Sequence, residues 1–238
     1  MHKLALLFTK DGLQWQISKG KNVLEEEHHF VDEESFLNFI EEKLDDVLSK
    51  NLVSEIQVIS ALNHFSLTPD TFTEHELGYK LISYNANVDE TNEELMLSVN
   101  KKFGVQFYYT FPKYYYSRIK SLKVPTKFNF SGESFLNKIS VKKEKEIHIN
   151  LYHHQVEFFA FENKKVILYN NLDANSEVDF LYFIMFSLSK IGFGTHDTHF
   201  YIYGETKEND TFISELKKFV KNLKLVSENS TKKNFIFS

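Results

Sequence analysis

The sequence of 238 residues contains no cysteine, only eight glycines and only three prolines. The absence of cysteine excludes disulfide bonds, thiol catalysis and cysteine-ligated zinc. The scarcity of glycine argues against glycine-rich phosphate loops, because such loops need glycine wherever the backbone approaches a ligand closely. Long apolar runs are missing, and the apolar stretch at the amino terminus is too short for a signal peptide. We therefore expect a soluble, cytoplasmic protein with no membrane span.

An excess of basic residues is also missing. The formal net charge is −5, and acidic and basic residues are mixed along the chain. Nucleic-acid-binding proteins carry a basic patch or stripe, so we expect no nucleic-acid partner. Aromatic residues, in contrast, are plentiful, with 24 Phe and 12 Tyr. They favour strands, because their broad side chains pack well on a pleated surface.

The first sixty residues predict three strands, one helix and a fourth strand. Asp11-Gly12 joins the first two strands and is a strong signal for a hairpin turn. Asp32 is a suitable N-cap for a helix over 33–50, which has one apolar face. The apolar patterns place the four strands at 4–9, 13–17, 23–30 and 55–60.

The same order of elements is predicted again from about residue 146. Ser176 and Asp179 have the spacing of a capping box at the start of a helix. That helix is apolar on nearly all sides, so we expect it to be buried. The other predicted elements are strands at 146–152, 155–161, 165–170 and 198–203 and a closing helix over 210–223. The repeated order indicates an ancient duplication.

The residues between the two copies, about 64–142, are predicted to form an inserted segment. Pro69 favours the first turn of a short helix that continues to residue 76. The other predicted elements are strands at 80–84, 94–99 and 105–110 and helices that begin at Pro112 and Ser131. The charged run at 142–145 is the candidate boundary. We therefore assign 1–142 to a first lobe and 143–238 to a second.

Three segments carry a resemblance to a known family: LLFTKDGL at 6–13, FSLTPDTF at 65–72 and YIYGE at 201–205. The order and spacing of these segments resemble those of an uncharacterised bacterial family, known only as a domain of unknown function. That family has the actin-like ATPase fold of the actin, sugar-kinase and Hsp70 superfamily. The resemblance implies an α/β protein with two actin-like lobes. Each lobe would be one copy of a duplicated, ribonuclease-H-like βββαβα unit with a mixed sheet.

The resemblance also implies where ATP and Mg²⁺ would bind. ATPases of this superfamily hold phosphates on a hairpin turn in each lobe and the adenosine beside glycines that follow the fourth strand of the second lobe. The matching candidates here are Asp11, Gly12 and Gly204. The second hairpin turn, 152–155, has neither a carboxylate nor a glycine, and Glu205 would repel a phosphate. We therefore expect a degenerate nucleotide site, no catalytic residue and no cofactor.

Other possible sites are weaker. Ten histidines in one chain produce clusters such as His196-Asp197-Thr198-His199 by chance, so we expect no metal site. The tyrosine run at 114–116 could stack bases or a peptide, but we favour an amphipathic helix with one tyrosine turned inward. A ribonuclease-H-type nuclease would need clustered carboxylates on its central strands. The strands predicted here present Leu, Ile, Phe and Tyr instead.

Three functions therefore stay open. The first is a non-catalytic interaction or scaffold protein, a pseudo-ATPase with an unknown protein partner. The alternative is an ATP-binding enzyme or switch with an atypical pocket, for which Asp11, Gly12 and Gly204 would be the surviving contacts. The third is a component of a filament or pilus-type assembly, since actin-like folds can form homo-oligomers head to tail.

Overall fold

The computed structural model describes residues 2–10, 12–20, 22–30, 41–42, 44–46, 49, 53–152, 155–206 and 210–226. The chain forms two compact units, one of residues 1–100 with 104–134 and one of residues 101–103 with 135–238. The division falls between Ser134 and Phe135, whereas the charged run that we selected from the sequence lies at 142–145. None of the helices in the described ranges is both long enough and apolar enough to cross a bilayer.

A five-stranded mixed sheet forms the base of the first unit. Its strands are β1 (His2–Thr9), β2 (Gly12–Lys19), β3 (Asn22–Phe30), β4 (Val53–Ser60) and β8 (Thr126–Phe130). Their order across the sheet is β3-β2-β1-β4-β8, with antiparallel pairing of β1 to β2 and β2 to β3 and parallel pairing of β1 to β4 and β4 to β8. Residues 41–42, 44–46 and 49 are helical, as predicted, and residues 31–40 lie outside the described residues.

The inserted segment adds a three-stranded sheet to the first unit. Its elements are β5 (Phe65–Pro69), β6 (Glu93–Asn100), β7 (Val105–Pro112), α1 (Gly78–Ser83) and α2 (Lys113–Ser121), and the strand order is β5-β7-β6. In α2, Tyr115 is buried and Tyr114 is half exposed, as the amphipathic interpretation predicted.

Two predictions in this segment were wrong. Pro69 is the last residue of strand β5 and does not begin a helix. Strand β5 is at the edge of its sheet, where a proline is tolerated because the backbone N–H that it lacks is not needed for pairing. Residues 80–84 lie mostly in helix α1, whose Ile82 is buried, and do not form a strand. Six residues are too few to show a helical period, so the sequence pattern did not identify this helix.

A second five-stranded mixed sheet forms the base of the second unit. Its strands are β9 (Lys145–Leu151), β10 (Gln155–Glu162), β11 (Lys165–Asp173), β12 (His199–Gly204) and β13 (Asn222–Leu225), in the order β11-β10-β9-β12-β13. The remaining helices are α3 (Ser131–Lys138), α4 (Glu177–Ile191) and α5 (Asp210–Lys217). The predicted closing helix over 210–223 is therefore shorter, because residues 222–225 pair with β12 as a parallel strand.

Helix α4 begins as the sequence predicted. The Ser176 hydroxyl accepts a hydrogen bond from the backbone N–H of Asp179 at 3.1 Å, and Gly192 ends the helix in the left-handed conformation, with φ of 72°. The expectation that the helix is buried on all sides was wrong. Only one face, with Phe180, Ile184 and Leu188, is buried in the core of the unit.

The two five-stranded sheets share one topology, in which β1, β2, β3, β4 and β8 correspond to β9, β10, β11, β12 and β13. The registers agree as well, since Ser60 of β4 lies opposite Phe8 and Gly204 of β12 lies opposite Leu151. The residue after each of these positions donates its backbone N–H to the Phe8 or Leu151 carbonyl, in both cases at 2.8 Å. The structure thus agrees with the predicted duplication of a ribonuclease-H-like unit.

Candidate functional site

The first hairpin turn joins β1 to β2. Thr9 pairs with Gly12, and the Thr9 hydroxyl donates a hydrogen bond to the Gly12 carbonyl at 3.2 Å. Gly12 is the first residue of β2, so it lies directly after the turn, as the sequence predicted. Asp11, the other candidate in this turn, lies outside the described residues and stays a sequence-based prediction.

The second hairpin joins β9 to β10 at the equivalent place. The backbone N–H of Tyr152 donates to the Gln155 carbonyl at 2.9 Å, and His153 and His154 lie outside the described residues. Beside this turn is a carboxylate that we did not select from the sequence, Glu157, whose side chain is fully buried.

The Glu157 carboxylate is enclosed by protein donors. It accepts hydrogen bonds from the hydroxyl of Tyr152 at 2.8 Å and from the hydroxyl of Tyr169 at 2.7 Å, and the Asn150 amide lies 3.4 Å away. Burial raises the pKa of the Tyr152 hydroxyl far above its usual range, and the nearby Glu157 charge raises it further. Tyr152 therefore stays protonated and acts as a hydrogen-bond donor. This cluster satisfies a buried carboxyl group with hydrogen bonds from its own unit.

Gly204, the third candidate, ends strand β12 beside the same hairpin. Its backbone is in the left-handed region, with φ of 82°. A Cβ atom at this position would lie less than 3.0 Å from the Leu151 carbonyl oxygen and from Oδ1 of Asn150. Only glycine fits here, because β12 and β9 approach each other so closely. The structure thus brings Gly204 together with the end of β9 and gives the glycine a role in strand packing.

A second buried polar cluster lies on β9 and β12. The Nε2 atom of His148 donates to the Glu146 carboxylate at 2.6 Å, and the Tyr203 hydroxyl lies 2.9 Å from Nδ1 of His148. Tyr201 stacks on the imidazole with ring centroids 4.8 Å apart. The backbone N–H groups of residues 142 and 143 also donate to Glu146, at 2.8 and 2.5 Å.

The pKa values of this pair are both lowered. Burial raises the pKa of Glu146, but the hydrogen bonds from His148 and from the two backbone N–H groups outweigh burial, and the net change is downward. Burial lowers the pKa of His148, and the Glu146 charge opposes this only in part. Near neutral pH the pair is therefore an ionised carboxylate and a neutral imidazole that donates from Nε2 and accepts from the Tyr203 hydroxyl at Nδ1.

These two clusters correct the sequence-based view of the central strands. We expected only Leu, Ile, Phe and Tyr there, but β9 and β10 carry the buried carboxylates Glu146 and Glu157. The signal was present in the alternation Glu146-Ile147-His148-Ile149-Asn150, which places the polar residues on one face of β9. The register sets the carboxylates four residue pairs apart, since Glu146 lies opposite Phe161 and Glu157 lies opposite Asn150. A two-metal nuclease site would need them side by side.

The histidine cluster near β12 has partners of its own. Asp197 forms an ion pair with Lys145 at 3.1 Å, and Nδ1 of His196 lies 3.0 Å from the Thr195 hydroxyl. Among the residues that the structure describes, no three His, Asp or Glu side chains form a group that could hold a metal ion.

Comparison with known proteins identifies a family and a fold. The model of a family described as "Protein of unknown function (DUF3822)" matches residues 1–223. No curated protein sequence matches the chain. A solved protein of Bacteroides thetaiotaomicron, described as having an actin-like ATPase fold and unknown function, is similar over 94% of this chain and 90% of its own, with a TM-score of 0.81 and 19% identity. This similarity confirms the predicted actin-like fold.

Two further solved structures share the fold at lower similarity. A PilM–PilN type IV pilus biogenesis complex gives a TM-score of 0.60 at 10% identity, over 94% of this chain and 88% of the other. The cytoplasmic domain of EpsL, an inner membrane component of the type II secretion system of Vibrio cholerae, gives a TM-score of 0.51 at 8% identity, over 100% and 92%. At these identities the similarity concerns the fold alone.

Proposed function

This chain belongs to the DUF3822 family of proteins of unknown function, and we propose that it is a non-catalytic actin-like protein that acts by binding a protein partner. The proposal rests mainly on the second hairpin. There, the carboxylate of Glu157, two residues after Gln155, accepts hydrogen bonds from two tyrosine hydroxyls inside the unit.

Nucleotide chemistry at this hairpin would need a carboxylate that faces Mg²⁺ or an attacking water. If Glu157 turned toward a metal ion, the hydroxyls of Tyr152 and Tyr169 would lose their acceptor. Each buried hydroxyl left without a partner costs about 1–3 kcal/mol. The arrangement therefore favours a structural role for Glu157.

Gly204 supports the same interpretation. Its positive φ and its close approach to Leu151 account for the glycine without a nucleotide. The residue that follows is Glu205, whose charge would repel a phosphate placed near it. The residues of the second unit thus fit Mg-ATP poorly.

The names of two proteins with the same fold support the partner-binding role. PilM is named as part of a complex with PilN, and EpsL is named as a component of a secretion system. Both descriptions are of proteins that work within assemblies. For this chain we propose assembly with a protein partner, and a homo-oligomer is one such assembly.

The test is thermal denaturation with and without Mg-ATP at millimolar concentration. A ligand at about 100 times its Kd stabilises a protein by about 2.7 kcal/mol, which raises Tm by roughly 5–10 °C for a chain of this size. We expect no shift. A shift of that size that Asp11→Ala abolishes would overturn the proposal in favour of an ATP-binding enzyme or switch. The control is Glu90→Ala, which removes an exposed carboxylate elsewhere in the first unit.

A further inference from the structure

One edge of the second unit is rich in lysine. The parallel strands β9, β12 and β13 begin at this edge. Lys145 is the first residue of β9 and pairs with Glu162 at the end of β10, and Glu162 pairs in turn with Lys165 at the start of β11. Lys221 comes directly before β13. The register therefore spreads lysines from one side of the sheet to the other.

Helices α4 and α5 end at the same edge. Only residues 192–198 join α4 to β12, and only residues 218–221 join α5 to β13. The two connections contact each other, since the backbone N–H of Lys221 donates to the Thr195 carbonyl at 3.3 Å. We call the residues that meet here the basic edge, and they are 142–145, 162–165, 190–198 and 217–221.

The two edges of this unit carry opposite charges. The basic edge contains nine lysines and three carboxylates, so its formal charge is +6. The described residues at the opposite edge, where the helices begin and β9 and β12 end, include no lysine. Their five carboxylates are those of Asp173, Glu177, Asp179, Glu205 and Asp210. The second unit is thus polarised along its strands.

Helix stability explains only part of this polarity. Lys190 and Lys217 lie in the last turns of α4 and α5, and acidic residues lie in the first turns, as the helix dipole favours. The lysines at 142–145, 164–165 and 218–221 lie outside these helices. Their position therefore needs another explanation.

Most of these lysines are available to a partner. Lys145 forms an ion pair with Asp197, and Lys218 forms one with Glu215. The other seven are exposed, and no carboxylate of the described residues lies within ion-pair distance of them.

The acidic edge is too distant to cancel this charge. At about 3.3 Å per residue, the seven residues of β9 separate the two edges by about 20 Å. Charges in water are screened over about 8 Å at physiological ionic strength. A partner at the basic edge therefore meets a positive surface, although the net charge of the chain is −5.

Exposed aromatic rings lie beside these lysines. Phe219 follows two consecutive lysines within the basic edge, and 47% of its surface is exposed. Phe186, one helical turn before Lys190, is exposed to the same extent, and its ring centroid is 5.1 Å from the Lys190 ammonium group. Lysines around exposed apolar rings form an amphipathic surface, which is the combination that binds at a membrane interface.

We propose that the basic edge binds a membrane surface that contains anionic lipids. The lysines lie among the lipid headgroups, and Phe219 enters the boundary between the headgroups and the acyl chains. The contact is peripheral and reversible, because it combines charge with a small apolar contact. It uses the edge opposite to the hairpin turn at 152–155, so it can be tested independently of the proposed function.

The lysines favour a lipid surface over an acidic segment of a protein. Arginine binds a carboxylate through two parallel hydrogen bonds, but the basic edge contains no arginine. A single exposed lysine gains little from a single carboxylate, because its long side chain must be held in one geometry. A continuous anionic surface requires no such geometry, and each lysine near it strengthens binding about fivefold.

Phe219 favours a lipid surface over a duplex nucleic acid. Phosphates attract lysines as well, but the backbone of a duplex offers no apolar layer to an exposed ring. A single strand can stack a base on the ring, so single-stranded DNA is included in the test.

Flotation with lipid vesicles tests the proposal. We expect the wild-type protein to float with phosphatidylcholine vesicles that contain about one third phosphatidylserine and to stay in solution with vesicles of pure phosphatidylcholine. Because salt screens the charges, binding should weaken as the salt concentration rises. If the protein does not bind the anionic vesicles, or binds both kinds equally, the proposal is wrong.

The double variant Lys217→Gln with Lys221→Gln identifies the surface. Its partition onto the anionic vesicles should fall about 25-fold, since each lysine contributes about fivefold. The matched control is Lys80→Gln with Lys127→Gln, which removes two exposed lysines of the first unit and the same charge. Equal losses would overturn the proposal, because the net charge and not the basic edge would then determine binding.

Phe219→Ala tests the apolar contact. We expect it to weaken binding to the anionic vesicles, whereas Tyr84→Ala, which truncates an exposed ring of the first unit, should bind as the wild type does. Circular dichroism checks that each variant is folded. Unchanged binding of Phe219→Ala would contradict the insertion of the ring. Tighter binding of single-stranded DNA than of anionic vesicles, lost in the double variant at 217 and 221, would assign the basic edge to a nucleic acid and overturn the proposal.

Discussion

The two five-stranded sheets have the same strand order but different chemistry beside their first hairpins. Gln14 is the third residue of β2, and Glu157 is the third residue of β10, and both side chains are buried. Where the first unit buries a neutral amide, the second buries a carboxylate with two tyrosine hydroxyls around it. Likewise, Ala5 of β1 and His148 of β9 hold matching positions in the register.

The two sheets therefore show that a shared strand order does not determine which side chains are buried at matching positions. A buried carboxyl group requires hydrogen-bond partners of its own, and the second unit provides them from neighbouring strands. An active ATPase site would need the same positions to face a ligand. Function therefore has to be argued from each hairpin separately, and the fold alone is not sufficient.

The largest effect is expected at the end of the fourth strand of the second sheet. Gly204→Ala would place a Cβ against the Leu151 carbonyl in a left-handed residue, so we expect a loss of about 3 kcal/mol or more in the free energy of unfolding. Ser60 holds the matching position in the first unit with a side chain, and it is not among the described residues with positive φ.

The control for this prediction is Gly192→Ala. Gly192 also has a positive φ, but a Cβ there would have no atom within 4 Å. We expect a loss of about 1 kcal/mol, the cost of the left-handed conformation alone. Urea denaturation measures both values. Equal losses at the two glycines would contradict the close packing of β12 on β9.

A smaller effect is expected from exchanging the buried amide and the buried carboxylate. Glu157→Gln makes the second hairpin resemble the first. It replaces an acceptor oxygen with an NH₂ group, so that one tyrosine hydroxyl loses its acceptor. We expect a loss of about 1–3 kcal/mol in the free energy of unfolding. If the loss is absent, the tyrosine hydroxyls do not depend on Glu157.

The reciprocal variant, Gln14→Glu, sharpens this comparison. Thr9 and Glu26 stand where the second unit has Tyr152 and Tyr169, so the new carboxylate would lack tyrosine donors. Burial then favours its protonated form, and the destabilisation should grow as pH rises above the ordinary carboxyl range. Chemical denaturation at several pH values measures this. If the loss in the free energy of unfolding does not change with pH, the first hairpin stabilises a buried carboxylate as the second does, and the two hairpins do not differ in this respect.

A still smaller effect is expected on the pH dependence of the free energy of unfolding, to which the buried pair His148 and Glu146 of the second unit contributes. The pKa of His148 in the folded chain is below its ordinary value near 6.5. As pH falls through this value, the unfolded chain binds a proton that the folded chain does not, so the free energy of unfolding falls. The pKa of Glu146 is also lowered, and its contribution is lost at still lower pH.

The measurement is the free energy of unfolding between pH 5 and pH 8. His148→Asn removes the titrating imidazole, and we expect a flatter curve below about pH 6.5. The control is His196→Ala, which removes an exposed histidine outside the buried clusters. An unchanged slope in His148→Asn would show that another group causes the acid sensitivity.

Local sequence signals predicted much of the fold. The capping pair Ser176 and Asp179 marked the start of α4, and the alternation in β9 marked a strand and its two faces. Predictions failed where tertiary contacts decide the structure. The strand at 222–225 forms because it pairs with β12, and α1 is helical because it packs against the inserted sheet, where Gly78 lies against Leu95 and Tyr108.

The site was less predictable than the fold. Gly204 was selected from a resemblance, but the reason for the glycine, the nearby Leu151 carbonyl, appears only when β9 and β12 are paired. Glu157 was missed because one of its partners, Tyr169, is on a different strand. Asp11 stays a prediction from the sequence. Spacing along the chain shows which residues share a face, but it does not show which side chains meet across strands.

The central claim is that the chain has the actin-like fold without a working nucleotide site, and isothermal titration of the wild-type protein with Mg-ATP tests it most directly. We predict no saturable heat of binding at millimolar ATP. Saturable binding of one ATP per chain that disappears in Asp11→Ala would contradict the claim. It would show that the first hairpin binds nucleotide and that the tyrosine-bound carboxylate beside the second hairpin does not prevent this.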